Sequence, residues 1–158
     1  MIKNIEEEVN NITKWIKNYV ENTHSDGIIV GNSGGKDSAT VIGLAVKAIG
    51  KEKVLTVAMP CFSVEKDLED AKLVSKAFDT KMLEIDLSKS CMELENVISE
   101  ELKASNIAQD ISEEGKINMK PRLRMLTLYG VARTLNYLVM GTGNACEIFV
   151  RLYNKMGR

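Results

Sequence analysis

Three features of the chain predict an α/β fold, a parallel sheet with helices on both faces. Short β-branched runs alternate with amphipathic stretches of helical length. A glycine-rich turn lies directly between the first such run and the helix that follows it. A second glycine turn follows the last run. Parallel strands present their carboxyl ends on one side of a sheet, so both turns can line one crevice at a topological switch point.

The elements follow in order. Ile2, Ile5, Val9, Ile12, Ile16 and Tyr19 recur at alternating gaps of three and four, an apolar stripe widened by Trp15 and Val20. An N-terminal helix is therefore expected over residues 1–22, ended by Asp26-Gly27. Gly27–Gly31 reads as a buried strand, Ala39–Ile49 as a helix and Gly50-Lys-Glu as a turn. Val54–Met59 reads as a second strand, stopped by Pro60. Val64–Phe78 is helical, with Leu68, Ala71, Val74 and Phe78 on one face. Lys81–Leu87 alternates as a third strand, and Ser90–Ala104 is helical. Residues 106–118 are polar, contain Glu113-Glu114-Gly115 and are expected to form a mobile loop. Pro121 suits the first turn of a helix running to about Asn136, and Tyr137–Gly141 reads as a fourth strand. The 158 residues are expected to form one domain.

Composition narrows the class. Apolar residues make up 44% and charged residues 27% of the chain, which excludes a disordered, collagen-like or disulfide-scaffold protein. No apolar run approaches the roughly 20 residues of a membrane helix. The acidic start Met1-Ile-Lys-Asn-Ile-Glu-Glu-Glu does not read as a targeting peptide, so the cytoplasm and no membrane partner are expected. A net charge of −1 argues against nucleic acid as a partner. The charge is uneven. Residues 1–115 hold 13 basic and 21 acidic side chains, whereas residues 116–158 hold eight basic ones and Glu147. Either the two segments neutralise each other, or an anionic ligand binds near the second. Cys61, Cys91 and Cys146 have no metal or redox spacing and read as three reduced thiols without a pair. His24 falls in a turn.

The chemistry sits in Gly31-Asn32-Ser33-Gly34-Gly35-Lys36-Asp37-Ser38. Glycines let backbone N–H groups approach a ligand, the helix start adds partial positive charge, and Ser33, Ser38 and Lys36 add donors. This is a phosphate cradle, and Asp37 suits a divalent cation held against the phosphates. The Walker A pattern fails, because Gly35-Lys36 is followed by Asp37, and Gly-x-Gly-x-x-Gly is absent. Ser33-Gly-Gly-Lys-Asp-Ser38 instead resembles the PP-loop of ATP pyrophosphatases. Two further blocks, Asn118-Met-Lys-Pro-Arg-Leu-Arg-Met125 with Tyr129, and Gly141-Thr-Gly-Asn-Ala-Cys-Glu147, resemble motifs of the ammonia-dependent NAD synthetase family. Arg122 and Arg124, two apart on a helix, point to nearly opposite faces, so one of them faces a given ligand.

That resemblance covers essentially the whole chain. It implies a Rossmann-like PP-loop fold and amidation of deamido-NAD by ammonia, with ATP as co-substrate, Mg²⁺ as cofactor and a homodimer as the working unit. Carried over by position, residues 31–38 and Thr142 hold ATP, Asp37 and Glu147 hold Mg²⁺, and Arg122 and Lys155 contact deamido-NAD. Arg151 and Arg158 stand where the family has glycine and aspartate, and the family continues beyond the matching stretch. The fold is accordingly expected to be incomplete at its C-terminus, to expose apolar surface and to be weakly active or inactive. The alternatives are a tRNA-thiolating PP-loop enzyme and a non-catalytic nucleotide-binding remnant that pairs with an intact synthetase.

Overall fold

The computed structural model describes residues 4–143. Helix α1 (Ile5–Asn22) begins at Asn4, whose side-chain oxygen accepts from the Glu7 amide at 3.2 Å. Three acidic residues, Glu6–Glu8, fill its first turn, where the helix dipole favours them. Strand β1 (Gly27–Gly31) runs into α2 (Lys36–Ile49), and a single 3₁₀ turn at Lys51–Lys53 leads to β2 (Val54–Ala58). Then come α3 (Glu65–Ala77), β3 (Lys81–Glu84), α4 (Ser88–Ala104), α5 (Glu113–Leu135) and β4 (Tyr137–Met140). The four strands are all parallel in the order β3-β2-β1-β4.

Strand alternation divides the core in two. Ile28, Val30 and Val54 face α1 and α2, packing on Ile16, Val20, Ile42 and Ala45, with Val74 and Phe78 from the α3 segment alongside. Ile29, Leu55 and Val57 face the other way, onto Cys91 of α4 and Ala132 of α5, with Leu123 and Leu128 beside them. Both faces of the sheet are therefore covered, as expected for parallel strands read as continuous apolar runs. The central strands β1 and β2 are buried almost throughout. Among the described residues β4 lies at one edge, and its four side chains are half-buried.

Four expectations are corrected. The α1 stripe is rotated, because Thr13, Ile16 and Val20 are buried, while Trp15 (64% exposed) and Tyr19 (49%) stack on each other at 5.3 Å outside the core. Strand β3 ends at Glu84, and α4 starts two residues early at Ser88. Residues 113–118, expected in a loop, are helical: Ser112 caps α5 by accepting from the Gly115 amide at 3.1 Å, with Glu113 and Glu114 in the first turn. Pro121 consequently sits inside α5, not in its first turn. Cys61 and Cys91 are buried in the same core cluster as free thiols, and Cys91 Sγ donates to Glu95 Oε1 at 3.3 Å. Cys146 lies outside the described residues.

Candidate functional site

Strand order places the switch point between β1 and β4. The chain leaves β1 toward β2 and β3, then returns to the other side of β1. Beyond the carboxyl ends of these strands lies a cleft of about 620 Å³. Gly31, Asn32 and Ser33 form one wall, and Gly141 and Thr142, after β4, form another. The two glycine turns thus do line one crevice. Asp67, Leu68 and Ala71 of α3 and Pro121, Arg124, Leu128 and Tyr129 of α5 complete it, over a floor from Val57 to Pro60.

The loop between β1 and α2 is internally bonded. Asn32 is 4% exposed, and its backbone amide extends the β1–β2 ladder by donating to the Val57 carbonyl at 2.8 Å. Its side-chain Nδ2 donates to the Ala71 carbonyl (2.8 Å) and Ser75 Oγ (3.0 Å), and its Oδ1 accepts from the Gly34 amide at 3.0 Å. Ser75 Oγ also bonds Thr56 Oγ1 (2.9 Å), which donates to the Lys81 carbonyl at 3.0 Å. Gly34 adopts φ +76°, and a Cβ there would lie 2.6 Å from Asp70 Cβ. Only glycine brings the loop this close to α3 in that conformation. The Gly35 amide donates to Ser33 Oγ at 3.3 Å, and Ser38, 2% exposed, donates through Oγ to the Gly35 carbonyl at 2.9 Å.

The cradle is therefore narrower than the sequence suggests. The Gly34 and Gly35 amides are held by side-chain oxygens of the loop itself. What the loop presents outward is the start of α2, whose first-turn N–H groups have no acceptor within the helix. Lys36 is exposed and Asp37 half-buried in that turn, where a helix N-terminus favours anions. The residues fit an anion accompanied by a small hard cation, since one protein carboxylate plus ligand oxygens and water is a usual magnesium environment. Among the described residues there is no group of three or more metal-ligating side chains.

The two arginines separate as their spacing requires. Arg124 lines the cleft and donates through Nε to the Met59 carbonyl at 3.0 Å. Arg122 is absent from the cleft lining, and its Nη1 folds back to the Asn118 carbonyl of its own helix at 2.7 Å. Arg124, with Asp67 opposite in charge, is the charged contribution of α5 to the cleft and was not singled out as a site residue by sequence. Its signal was the i, i+2 spacing, which offers two faces without saying which one meets the sheet. Glu147 and Lys155 lie outside the described residues. Elsewhere on α5, Ile117 (62% exposed) and Leu126 (68%) are apolar and exposed. No helix among the described residues is long and apolar enough to cross a membrane.

The family model for NAD synthase matches residues 8–157. The NH(3)-dependent NAD(+) synthetase of Alkaliphilus oremlandii is 38% identical over 158 residues, which covers 99% of this chain and 63% of that protein. A glutamine-dependent NAD+ synthetase from Acinetobacter baumannii, solved with ADP, superposes with a TM-score of 0.87 at 25% identity, covering 99% of this chain and 29% of that one. The NMN synthetase of Francisella tularensis superposes at 0.81 with 26% identity, covering 96% and 60% respectively. The chain spans about three fifths of the length of the curated relatives it matches.

Proposed function

The chain belongs to the NAD synthase family, and we propose that it carries the ATP side of an ammonia-dependent NAD synthetase. The observation that supports this reading most is the cleft at the switch point, where Gly31–Ser33 of the loop and the 141–142 turn form facing walls at the ends of β1 and β4. ATP would place its triphosphate at the start of α2 and its adenosine against the apolar floor of Val57, Met59, Leu68 and Leu128. Thr142 would contact the nucleotide from the β4 side. The carboxylate oxygen of deamido-NAD attacks the α-phosphorus, and pyrophosphate leaves with the electron pair of the broken bond. Ammonia then attacks the activated carbonyl carbon, AMP departs and a proton is lost. A carboxylate is a poor acyl donor until its oxygen carries such a leaving group, and fixing two polyanions in line supplies much of the rate.

Mg²⁺, held by Asp37 and Glu147, supplies neutralisation of the phosphate charge when bound. Arg124 is set to meet an anion in the cleft; Arg122 and Lys155 belong to the dinucleotide side, which the family reading places between two copies of the chain. Ammonia serves as nitrogen source in this reading. A second reading exchanges deamido-NAD for the corresponding mononucleotide, and the likeness to an NMN synthetase favours including it.

The test is product formation by the purified chain with ATP, Mg²⁺ and ammonia, offered deamido-NAD or the mononucleotide acid. The expected result is an amidated product and AMP in equal amounts, lost in Asp37→Ala. A folded chain that binds neither ATP nor ADP overturns the proposal. Retention of bulk tRNA on a filter, with no amide formed, would favour the thiolation reading instead.

A further inference from the structure

We propose that Asn32 is a positioning residue for the triphosphate: its carboxamide clamps the β1–α2 loop to α3 and touches no nucleotide itself. This rests on the ATP reading of the cleft. By sequence, Asn32 is one more polar member of a phosphate loop. In the structure both N–H donors of its side chain are committed, to the Ala71 carbonyl and Ser75 Oγ, and its oxygen accepts from the Gly34 amide. At 4% exposure the residue is buried in the wall of the cleft. The orientation of the amide follows from its partners. Exchanging Oδ1 and Nδ2 would set an oxygen against the Ala71 carbonyl and an NH₂ against the Gly34 N–H.

The clamp acts on the one joint that aims the cradle. Gly34, held by Asn32, is followed by Gly35, the cap of α2, and then by Lys36 and Asp37. Any rotation at Gly34 therefore swings the first turn of α2, which follows the cleft-lining residues Gly31–Ser33 directly. The same carboxamide grips α3, which supplies Asp67, Leu68 and Ala71 to the cleft. Two walls of the site are thus registered against each other by one side chain. The anchor beyond it is a buried relay, Ser75 to Thr56 to the Lys81 carbonyl, that reaches across β2 to β3. Buried polar groups joined in this way rigidify what they connect.

The experiment compares Asn32→Ala and Ser75→Ala with the unmodified chain by calorimetric titration with MgATP and, separately, adenosine. Asn32→Ala is expected to weaken ATP binding about tenfold or more while adenosine binding changes by less than about twofold. Ser75→Ala keeps the Asn32–Gly34 contact, so it is expected to lower the melting temperature and leave the ratio of the two affinities unchanged. Equal loss of both ligands in Asn32→Ala, or an unchanged ratio, overturns the positioning role. A measurement on the unmodified chain stands apart from whether the variant folds. The Asn32 side-chain NH₂ and the Gly34 amide, followed by NMR hydrogen exchange, are expected to stay protected when MgATP is added. Transfer of either group onto the nucleotide overturns the proposal. Absence of ATP binding by the folded, unmodified chain removes the ATP reading itself, an outcome distinct from either of these.

Discussion

Replacing Gly34 with alanine probes the closest approach in the site. The residue sits at φ +76°, where an L side chain costs roughly 1–2 kcal/mol. The new Cβ would lie 2.6 Å from Asp70 Cβ and 2.9 Å from the Ala71 nitrogen. Ala71 N is helix backbone, and its own carbonyl is gripped by Asn32, so α3 cannot move aside without breaking that bond. Forcing a methyl into such a wall adds roughly 1–3 kcal/mol. The total of about 2–5 kcal/mol corresponds to a fall in melting temperature of about 5–20 °C for a chain of this size. Circular dichroism melts of the two proteins measure it. Gly130→Ala is the paired control. That glycine lies in α5 with nothing within 4 Å of a built Cβ, so the substitution is expected to stabilise by about 0.5–1 kcal/mol. The same chemical change thus takes opposite signs at two positions. A Gly34→Ala melting point within about 2 °C of the unmodified chain would refute the steric argument.

Three further outcomes are expected. Thr56→Val, fully buried, leaves Ser75 Oγ and the Lys81 carbonyl short of a partner and should cost about 1–3 kcal/mol in urea unfolding; a neutral result would mean the relay is unimportant to stability. Burial, followed by the neighbouring Glu95 and Cys61, pushes the Cys91 thiol up to about 12. The folded state therefore keeps a proton that the unfolded chain releases, and stability falls as pH rises from the ordinary thiol range toward that value. Correspondingly, iodoacetamide at pH 8.5 should modify Cys91 only after denaturation, and equal rates in both states would contradict the burial. The Asp110 carboxyl is held below its usual range by the Ser99 hydroxyl (2.5 Å), then by the Ile111 amide and by Lys116 and Lys103. Its contribution is present above the ordinary carboxylate value and disappears as pH falls through the lowered one; Ser99→Ala should move the Asp110 titration upward in NMR, and no movement would remove the hydroxyl as the cause.

The parts of the molecule legible in advance were those whose signals are local. β1 and the loop position were read correctly, and α2 only begins earlier, at Lys36 instead of Ala39, because β-branched residues, a glycine cluster and an apolar helix follow one another without a conflicting cue. Helix α5 was read short because Gly115 and Pro121 both argue for a break, and the Ser112 cap with its two glutamates is a weaker local cue than either. Packing of Leu123, Leu128, Val131 and Ala132 on the sheet holds the helix through the proline. The rotation of α1 was illegible for a different reason. A helical stripe defines an arc, and which part of that arc meets α2 depends on the partner's shape. The thiol contact and the Asn32 network join residues 30 and 39–43 positions apart. No spacing rule reaches that far.

The placement of β4 beside β1 has a consequence for how the chain acquires its cleft. β1 finds β2 within about thirty residues, but its other neighbour begins at Tyr137, and the seam is fastened by Asn136, which donates to the His24 carbonyl and the Asp26 carboxylate across 112 and 110 residues. Contacts of such separation are entropically slow to form. During synthesis the segments of the loop and of its α3 wall emerge before the far wall, and because a domain folds as a unit the sheet is completed only when β4 is available. Until β4 docks on β1 the Gly141–Thr142 wall is missing, so the two-walled cleft exists only after that late pairing. Folding order and completion of the cleft are in this way written into one strand permutation.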